Sequence, residues 1–233
     1  MAVTCRGSIL AICVLLATAA AARADTSQPQ KNATDRVPAG DYTLDKAHAS
    51  LLFRVNHLGF SHFTGRVTRY DAKLRFDPAN PTASSVAVTI DPRSLAVDNP
   101  PDGFLDQLRG SQWLDVAKHP AMSFKSTHVE RASKGALRID GELNLHGVSR
   151  PVALEATFNG GYAGHPMDPH ARIGFSAHGT FKRSQFGIAY GIPAPGSAMG
   201  VSDDVEVIIE AEVNGPAWVK PQARTPEPRP PHG

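Results

Sequence analysis

Ten histidines, two cysteines and 22 acidic residues are the groups in this 233-residue chain most able to do chemistry. His165-Pro166-Met167-Asp168-Pro169-His170 puts two imidazoles and a carboxylate into six positions, donor types that zinc or copper accept. Its prolines and the glycines around it equally describe an exposed loop. His57 and His62 flank Leu58-Gly59-Phe60-Ser61, a turn-like stretch that could carry both rings to the rim of a pocket. Gly174-Phe175-Ser176-Ala177-His178 approaches a Gly-x-Ser-x-Gly nucleophile elbow. An elbow needs a strand, a sharp turn and a helix, and strand-like alternation runs straight through Ser176. Glu142, Glu155 and Glu210 fall on the polar faces of alternating segments, so no acidic pair is set up for glycoside cleavage. The sequence has no P-loop, no Gly-x-Gly-x-x-Gly after a strand and no His-Glu-x-x-His.

Both cysteines, Cys5 and Cys13, lie in the first 24 residues. That segment has Arg6 in a short n-region, an apolar and small run over Ile9–Ala22, and Ala22-Arg23-Ala24 as an A-x-A cleavage site. It reads as a secretory signal peptide, with cleavage near Ala24 and a periplasmic or secreted product. The run is shorter than the ~20 apolar residues of a membrane-spanning helix, and no later stretch is long enough to span. Cleavage would remove every cysteine, leaving no disulfide framework, thiol nucleophile or thiolate metal site. Residues 25–40 are polar and read as a flexible leader. Residues 215–233 hold six prolines and read as a disordered tail.

The remaining stretch, 41–214, alternates with a period of two. Leu51, Phe53 and Val55 oppose Arg54 and Asn56. Val86, Val88 and Ile90 share a face, as do Leu137, Ile139, Leu143 and Leu145. Val152, Leu154, Ala156 and Phe158 alternate with polar or small residues. Ile173, Phe175, Ala177 and Phe181 oppose Arg172, Ser176, His178 and Thr180. Val205, Val207, Ile209 and Val213 oppose Glu206, Glu210 and Glu212. With the less regular segments 65–76 and 121–130, this predicts eight strands with one dry face each, and a bulge in 65–76. Phe104, Leu105, Leu108, Trp113 and Leu114 predict one or two short helical turns between strands, closed before Pro120. Eight antiparallel strands with one dry face form a sandwich or close into a barrel, and alternation alone does not choose between them. A barrel interior is filled by side chains or holds one small ligand. The small residues Gly141, Ala156, Ala177, Gly179 and Ala211 on the dry faces either leave room for a ligand or fit a tapering sheet.

The apolar fraction of 41% is enough for a real core. Outside the first 24 residues the positive and negative charges balance, which gives no support to a nucleic-acid binder with a basic face. Polar-in, apolar-out alternation would have the same period, so an outer-membrane barrel is one alternative, although no aromatic girdles appear. An enzyme or metal-dependent protein acting on a lipid is another.

The order of segments resembles the YceI-like family of secreted lipocalin-like proteins. The resemblance is carried by Asp45-x-x-His48 with Phe53-x-Val55-x-His57, then Phe63-Thr64-Gly65, then Leu74-x-Phe76-Asp77-Pro78. Ser94-Leu95, Trp113-Leu114-Asp115-Val116 with His119-Pro120, and Phe124-Lys125-Ser126-Thr127 follow. Gly141-x-Leu143-x-Leu145-x-Gly147-Val148 with Pro151-Val152, and Arg183-Ser184-x-Phe186-Gly187, complete it. Phe104-Leu105-Asp106-Gln107-Leu108 stands where the family carries an Arg and a His.

The resemblance implies an all-β fold, an eight-stranded antiparallel lipocalin-like barrel, whose apolar cavity holds an isoprenoid-like or other amphiphilic lipid. Isoprenoid quinones and polyprenyl lipids are the implied ligands, with no catalytic cofactor. Family members are often homodimers and have no common catalytic activity. The expected cavity wall is Phe53, Val55, Phe124, Leu143, Phe175 and Phe181, with Trp113 from the helical turns. His57, His62 and Arg183 are candidates at the mouth, Arg183 alternatively bonding backbone carbonyls at a strand end.

Overall fold

A computed structural model describes residues 37–219. The signal peptide and most of the leader and the proline-rich tail lie outside the described residues. Ten strands occur: β1 (Gly40–His57), β2 (Ser61–Val67), β3 (Tyr70–Phe76), β4 (Ser85–Ile90), β5 (Leu95–Ala96), β6 (Met122–Arg131), β7 (Leu137–Leu145), β8 (Val148–Tyr162), β9 (His170–Lys182) and β10 (Val201–Ala217). Among the described residues the α-helix α1 (Phe104–Arg109) precedes β6. Antiparallel pairing runs β10-β9-β8-β7-β6-β4-β3-β1, and β1 pairs back onto β10, closing a ring of eight. The closure chooses a barrel over a sandwich.

The two further strands are continuations. β1 pairs with β3 through Gly40–Thr43 and with β2 through Leu51–His57. β2 and β3 are therefore halves of one strand, broken at Thr68 and Arg69, within the segment expected to bulge. The neighbouring strand breaks at the same level, β4 lying on β3 and β5 on β2. Buried Ser94 fills the break. Its carbonyl accepts from Thr68 N and its hydroxyl from Arg69 N. Groups that leave the sheet ladder thus keep partners.

β1 is longer than the alternation at 51–55 predicts, because its first half is irregular. Four residues between Leu44 and Ala49 stand opposite one residue of β10. Such a bulge shifts the side-chain parity and hides the strand from a period-two reading. The Asp45-x-x-His48 motif lies within it. Asp45 accepts from Ala47 N at 3.1 Å and pairs with His48 Nδ1 at 3.0 Å and Arg172 Nη1 at 2.6 Å. Arg172 also reaches Glu212 at 2.8 Å and Asp168 at 3.2 Å. The Arg172 guanidinium, and then His48, hold the Asp45 carboxyl down at about 2.

The outer wall is charged. Arg54–Glu206 (2.7 Å), Lys182–Asp204 (2.8 Å) and Arg138–Asp140 (2.7 Å) sit on it. A lipid-facing barrel carries an apolar outer band, so the outer-membrane alternative does not match this wall. The apolar faces point inward and form two buried clusters. One contains Val37, Tyr42, Phe76, Ala171, Ile173 and Val213. Phe76 there stacks on Phe158 at 5.7 Å and meets Phe175 edge-on at 5.6 Å. The Tyr42 ring covers Gly215 so closely that no Cβ would fit. The fold accordingly begins by Val37 and runs through β10 to Ala217, past the expected limits at 41 and 214 on both sides. The second cluster contains Phe124, Leu145, Val152, Leu154, Phe186 and Ile188, with Trp113 and Leu114 packed against it.

Tyr42 is 1% exposed and donates to Pro38 O at 2.6 Å. Burial pushes its phenol up to about 12. An unfolded phenol ionises near ~10. Between these values the unfolded chain loses the proton and the folded chain keeps it, so stability falls as pH rises from 10 to 12. The Tyr42 contribution to that loss is about 2 kcal/mol. Tyr42→Phe should cost about 1 kcal/mol at pH 8 through the lost hydrogen bond and remove this part of the alkaline slope. Urea unfolding of both proteins at pH 8 and pH 11 checks it; parallel slopes would refute it.

Candidate ligand-binding lumen

Between the two buried clusters the inward positions are apolar but not closed over. Leu51 and Phe53 of β1, Ile139 of β7, Ala177 of β9, and Val207 and Ile209 of β10 are only half-buried. Register places Leu51 opposite Ile209 and Phe53 opposite Val207 on one side of the ring, and Ala177 opposite both Ile209 and Ala156. In a closed barrel, solvent reaches an inward side chain from the inside. Ile139, Val207 and Ile209 also pack against the second cluster, and the band is the candidate wall of an apolar lumen.

Four of the predicted wall residues, Phe53, Leu143, Phe175 and Phe181, are half-buried members of inward faces. Phe175 belongs to the aromatic cluster at one end, and Phe181 meets Phe186 edge-on at 5.3 Å near the other. Val55 and Phe124 are buried by packing. The Phe124 ring covers Gly141, and Phe53 covers Gly65. Aromatic rings laid over strand glycines keep such sheets packed. A Cβ on Gly179 would meet Leu154 Cδ2 at 2.6 Å. Thus Gly141 and Gly179 offer no spare room and Ala156 is buried, while Ala177 and Ala211 remain partly open.

The mouth candidates separate. His57 pairs with Ser61, and Asn56 with His62. Directly opposed residues share a face and neighbours alternate, so His57 lies on the lumen face of the rim and His62 on the outer face. Both are exposed. The register leaves only His57 as a rim residue. Arg183 is 3% exposed and built into the wall. Its Nε donates to Ser202 O, Nη1 to Ile188 O and Tyr190 O, and Nη2 to Val201 O, at 2.8–3.0 Å. Burial pulls its pKa below the ordinary arginine value. Its guanidinium also lies 5.0 Å from the Trp113 ring centre, and Trp113 meets Tyr190 edge-on at 5.7 Å. With four of five N–H groups committed, Arg183 is a backbone clamp, and Trp113 caps the end of the barrel. Helix α1 buries no residue fully. Its Phe104 meets Phe63 of β2 at 5.9 Å, and Arg109 Nη2 reaches Leu95 O at 3.2 Å.

The chemistry weighed elsewhere in the sequence is not assembled. Ser176 lies within uninterrupted β9, donating to Glu210 Oε2 at 2.6 Å and accepting from Asn159 at 2.8 Å. Asp168, between His165 and His170, accepts from the Tyr162 hydroxyl and from Arg172. A carboxylate already held by a guanidinium and a phenol is a poor cation ligand. An open groove of about 470 Å³ outside the wall is lined by Lys46, Arg69, Tyr70, Asp71 and Asp91 among others. Its charged rim does not suit an apolar chain. The lumen positions Leu51, Ile139, Val207 and Ile209 were legible as dry-face residues. Asp115 and His119, four residues apart, meet His146 from the distant β7–β8 turn within 4.8 Å, a convergence that no spacing in the sequence signals.

The profile of the YceI-like domain matches residues 42–213. The chain belongs to the YceI-like family. A UPF0312 protein of Vibrio cholerae is 36% identical over 176 residues, covering 75% of this chain and 87% of that protein. A UPF0312 protein of Shewanella oneidensis is 38% identical over 156 residues, covering 65% and 78%. The crystal structure of the Campylobacter jejuni YceI protein matches with a TM-score of 0.56 at 30% identity, covering 75% of this chain and 98% of that one. Burkholderia cenocepacia BcnA shares the fold with a TM-score of 0.62 at 22% identity, covering 72% and 98%. A polyisoprenoid binding domain from Saccharophagus degradans shares it with a TM-score of 0.53 at 13% identity, covering 77% and 100%. In this YceI-like chain the Arg183-Ser184 motif is the carbonyl clamp, and the Asp45-x-x-His48 motif is the β1 bulge.

Proposed function

We propose that this protein is an exported carrier that holds the chain of an isoprenoid-like amphiphile inside its barrel. The apolar lumen between two buried clusters carries the reading. The signal-like segment at residues 1–24 supports export, and the shared barrel of the Saccharophagus degradans domain, named for binding a polyisoprenoid, supports the ligand class. Each CH₂ moved from water into such a wall gains about 0.8 kcal/mol. A few five-carbon units suffice for micromolar binding after ordering costs. Smooth apolar walls read length and girth better than chemistry, so selectivity among chains of similar girth is low. His57 at the rim and the thinly covered helix α1 mark the end where a polar head group would sit.

Mass spectrometry of organic extracts, from protein purified without detergent, tests the proposal. The expected result is one single-chain amphiphile per barrel. An empty extract, together with failure to take up added quinone or prenyl phosphate, would overturn it.

A further inference from the structure

We infer that Asp115, His119 and His146 form a binding site for a first-row transition-metal dication, zinc being the best match. Asp115 and His119 come from the tight turns after α1. His146 comes from the two-residue turn between β7 and β8. One donor atom of each lies within 4.8 Å of the others, and the His119 and His146 ring centres are 4.6 Å apart.

The site is built around the His146 ring. His146 Nδ1 lies 3.0 Å from Phe186 O. A carbonyl only accepts, so Nδ1 carries the proton and Nε2 presents a lone pair. That Nε2 is buried and has no hydrogen-bond partner. An imidazole that donates one N–H to a backbone carbonyl and keeps a bare buried nitrogen, next to a carboxylate and a second imidazole, has the arrangement of a metal ligand. A buried nitrogen without a partner otherwise costs free energy for nothing in return. The backbone is shaped to the same end. His146 and Asp115 adopt left-handed conformations, with φ of 54° and 40°. Gly147, also left-handed, lacks a Cβ where the His119 ring packs, 2.6 Å from where that carbon would be.

Two imidazole nitrogens and one carboxylate oxygen favour zinc or copper(II) over magnesium or calcium, and leave a fourth position for water. Zinc needs its ligand atoms roughly 3.3 Å apart, and the turn-borne side chains already hold theirs within 4.8 Å of one another. Lys118 Nζ now sits 3.0 Å from Asp115 Oδ2. It stands where a cation would compete, and its side chain is largely exposed and free to swing away.

Titration calorimetry of chelator-treated protein with zinc chloride tests the site. One zinc per chain is expected, with micromolar or tighter affinity. His119→Ala and His146→Asn should each weaken binding at least tenfold, asparagine being tolerant of the left-handed backbone at 146. Lys118→Met should tighten it several-fold, and His165→Ala with His170→Ala should leave it unchanged. Cobalt(II) titration supplies a second readout, a visible ligand-field band present in the parent protein and absent in the His119→Ala/His146→Asn double variant. Zinc affinity equal in the parent and double variants, or no effect of Lys118→Met, would overturn the inference. Far-ultraviolet circular dichroism of each metal-free variant confirms that it is folded.

Discussion

Ala177→Phe should abolish most lipid uptake while leaving the barrel folded. Ala177 faces inward between Ala156 and Ile209 and is only half-buried, so a ring placed there enters the lumen rather than a packed core. Ala156 is the poorer target, because it is buried already and a larger side chain would strain the wall. A phenyl group at 177 displaces about three or four methylene contacts of a bound chain. At about 0.8 kcal/mol each, that is a loss of about 2–3 kcal/mol, or roughly 30- to 150-fold in affinity. The thermal midpoint should stay close to that of the parent protein, since the new ring is itself apolar. Uptake of a prenyl phosphate, followed by mass spectrometry or a displaced fluorophore, measures the effect. Parent-like uptake by a folded variant would place the ligand elsewhere.

Arg183→Met should cause the largest loss of stability among single changes outside the aromatic clusters. The substitution leaves the carbonyls of Ile188, Tyr190, Val201 and Ser202 without their charged donor, that of Ile188 buried and the other three part-buried. Loss of such an array costs roughly 3–5 kcal/mol. In a domain of this size that lowers the melting temperature by about 10 °C. Arg183→Lys should restore little of it, because an ammonium cannot reach four carbonyls in one plane as the guanidinium fork does. Thermal circular dichroism measures the loss. Lipid bound per folded molecule should be nearly unchanged, because the clamp makes no use of the ligand. A variant with parent-like stability and altered head-group preference would return Arg183 to the mouth of the cavity.

These two residues show how legible the site was. Ala177 and Arg183 were both marked in the sequence, one as a small residue on a dry face and one as a candidate at the mouth. Their places differ for the same physical reason. Ala177 stays half-buried with the short Ala156 of β8 directly opposite on one side and Ile209 of β10 on the other. Gly141 and Gly179 drew the same expectation but are covered, by Phe124 and by Leu154. Period-two alternation tells which way a side chain points. Filling depends on which residues of the next strand stand opposite or diagonal, and register sets that. His57 and His62 separated on the same account, since one step along a strand changes the face.

The sequence by itself determined the local properties. Alternation marked dry faces, the breaks at prolines and glycines marked turns, and the chain of short motifs marked the family. These are legible because each depends on residues a few positions apart. The tertiary structure decided what depends on residues far apart in the chain. It closed β1 onto β10 and so made a lumen rather than two facing sheets. It hid the first half of β1 in a bulge held by Arg172. It turned Arg183 away from the ligand and toward four carbonyls. It brought His146 to His119 and Asp115 at the end of the barrel. Closure, filling and convergence are set by pairing between distant strands, and a pattern read along one strand carries no information about its partner.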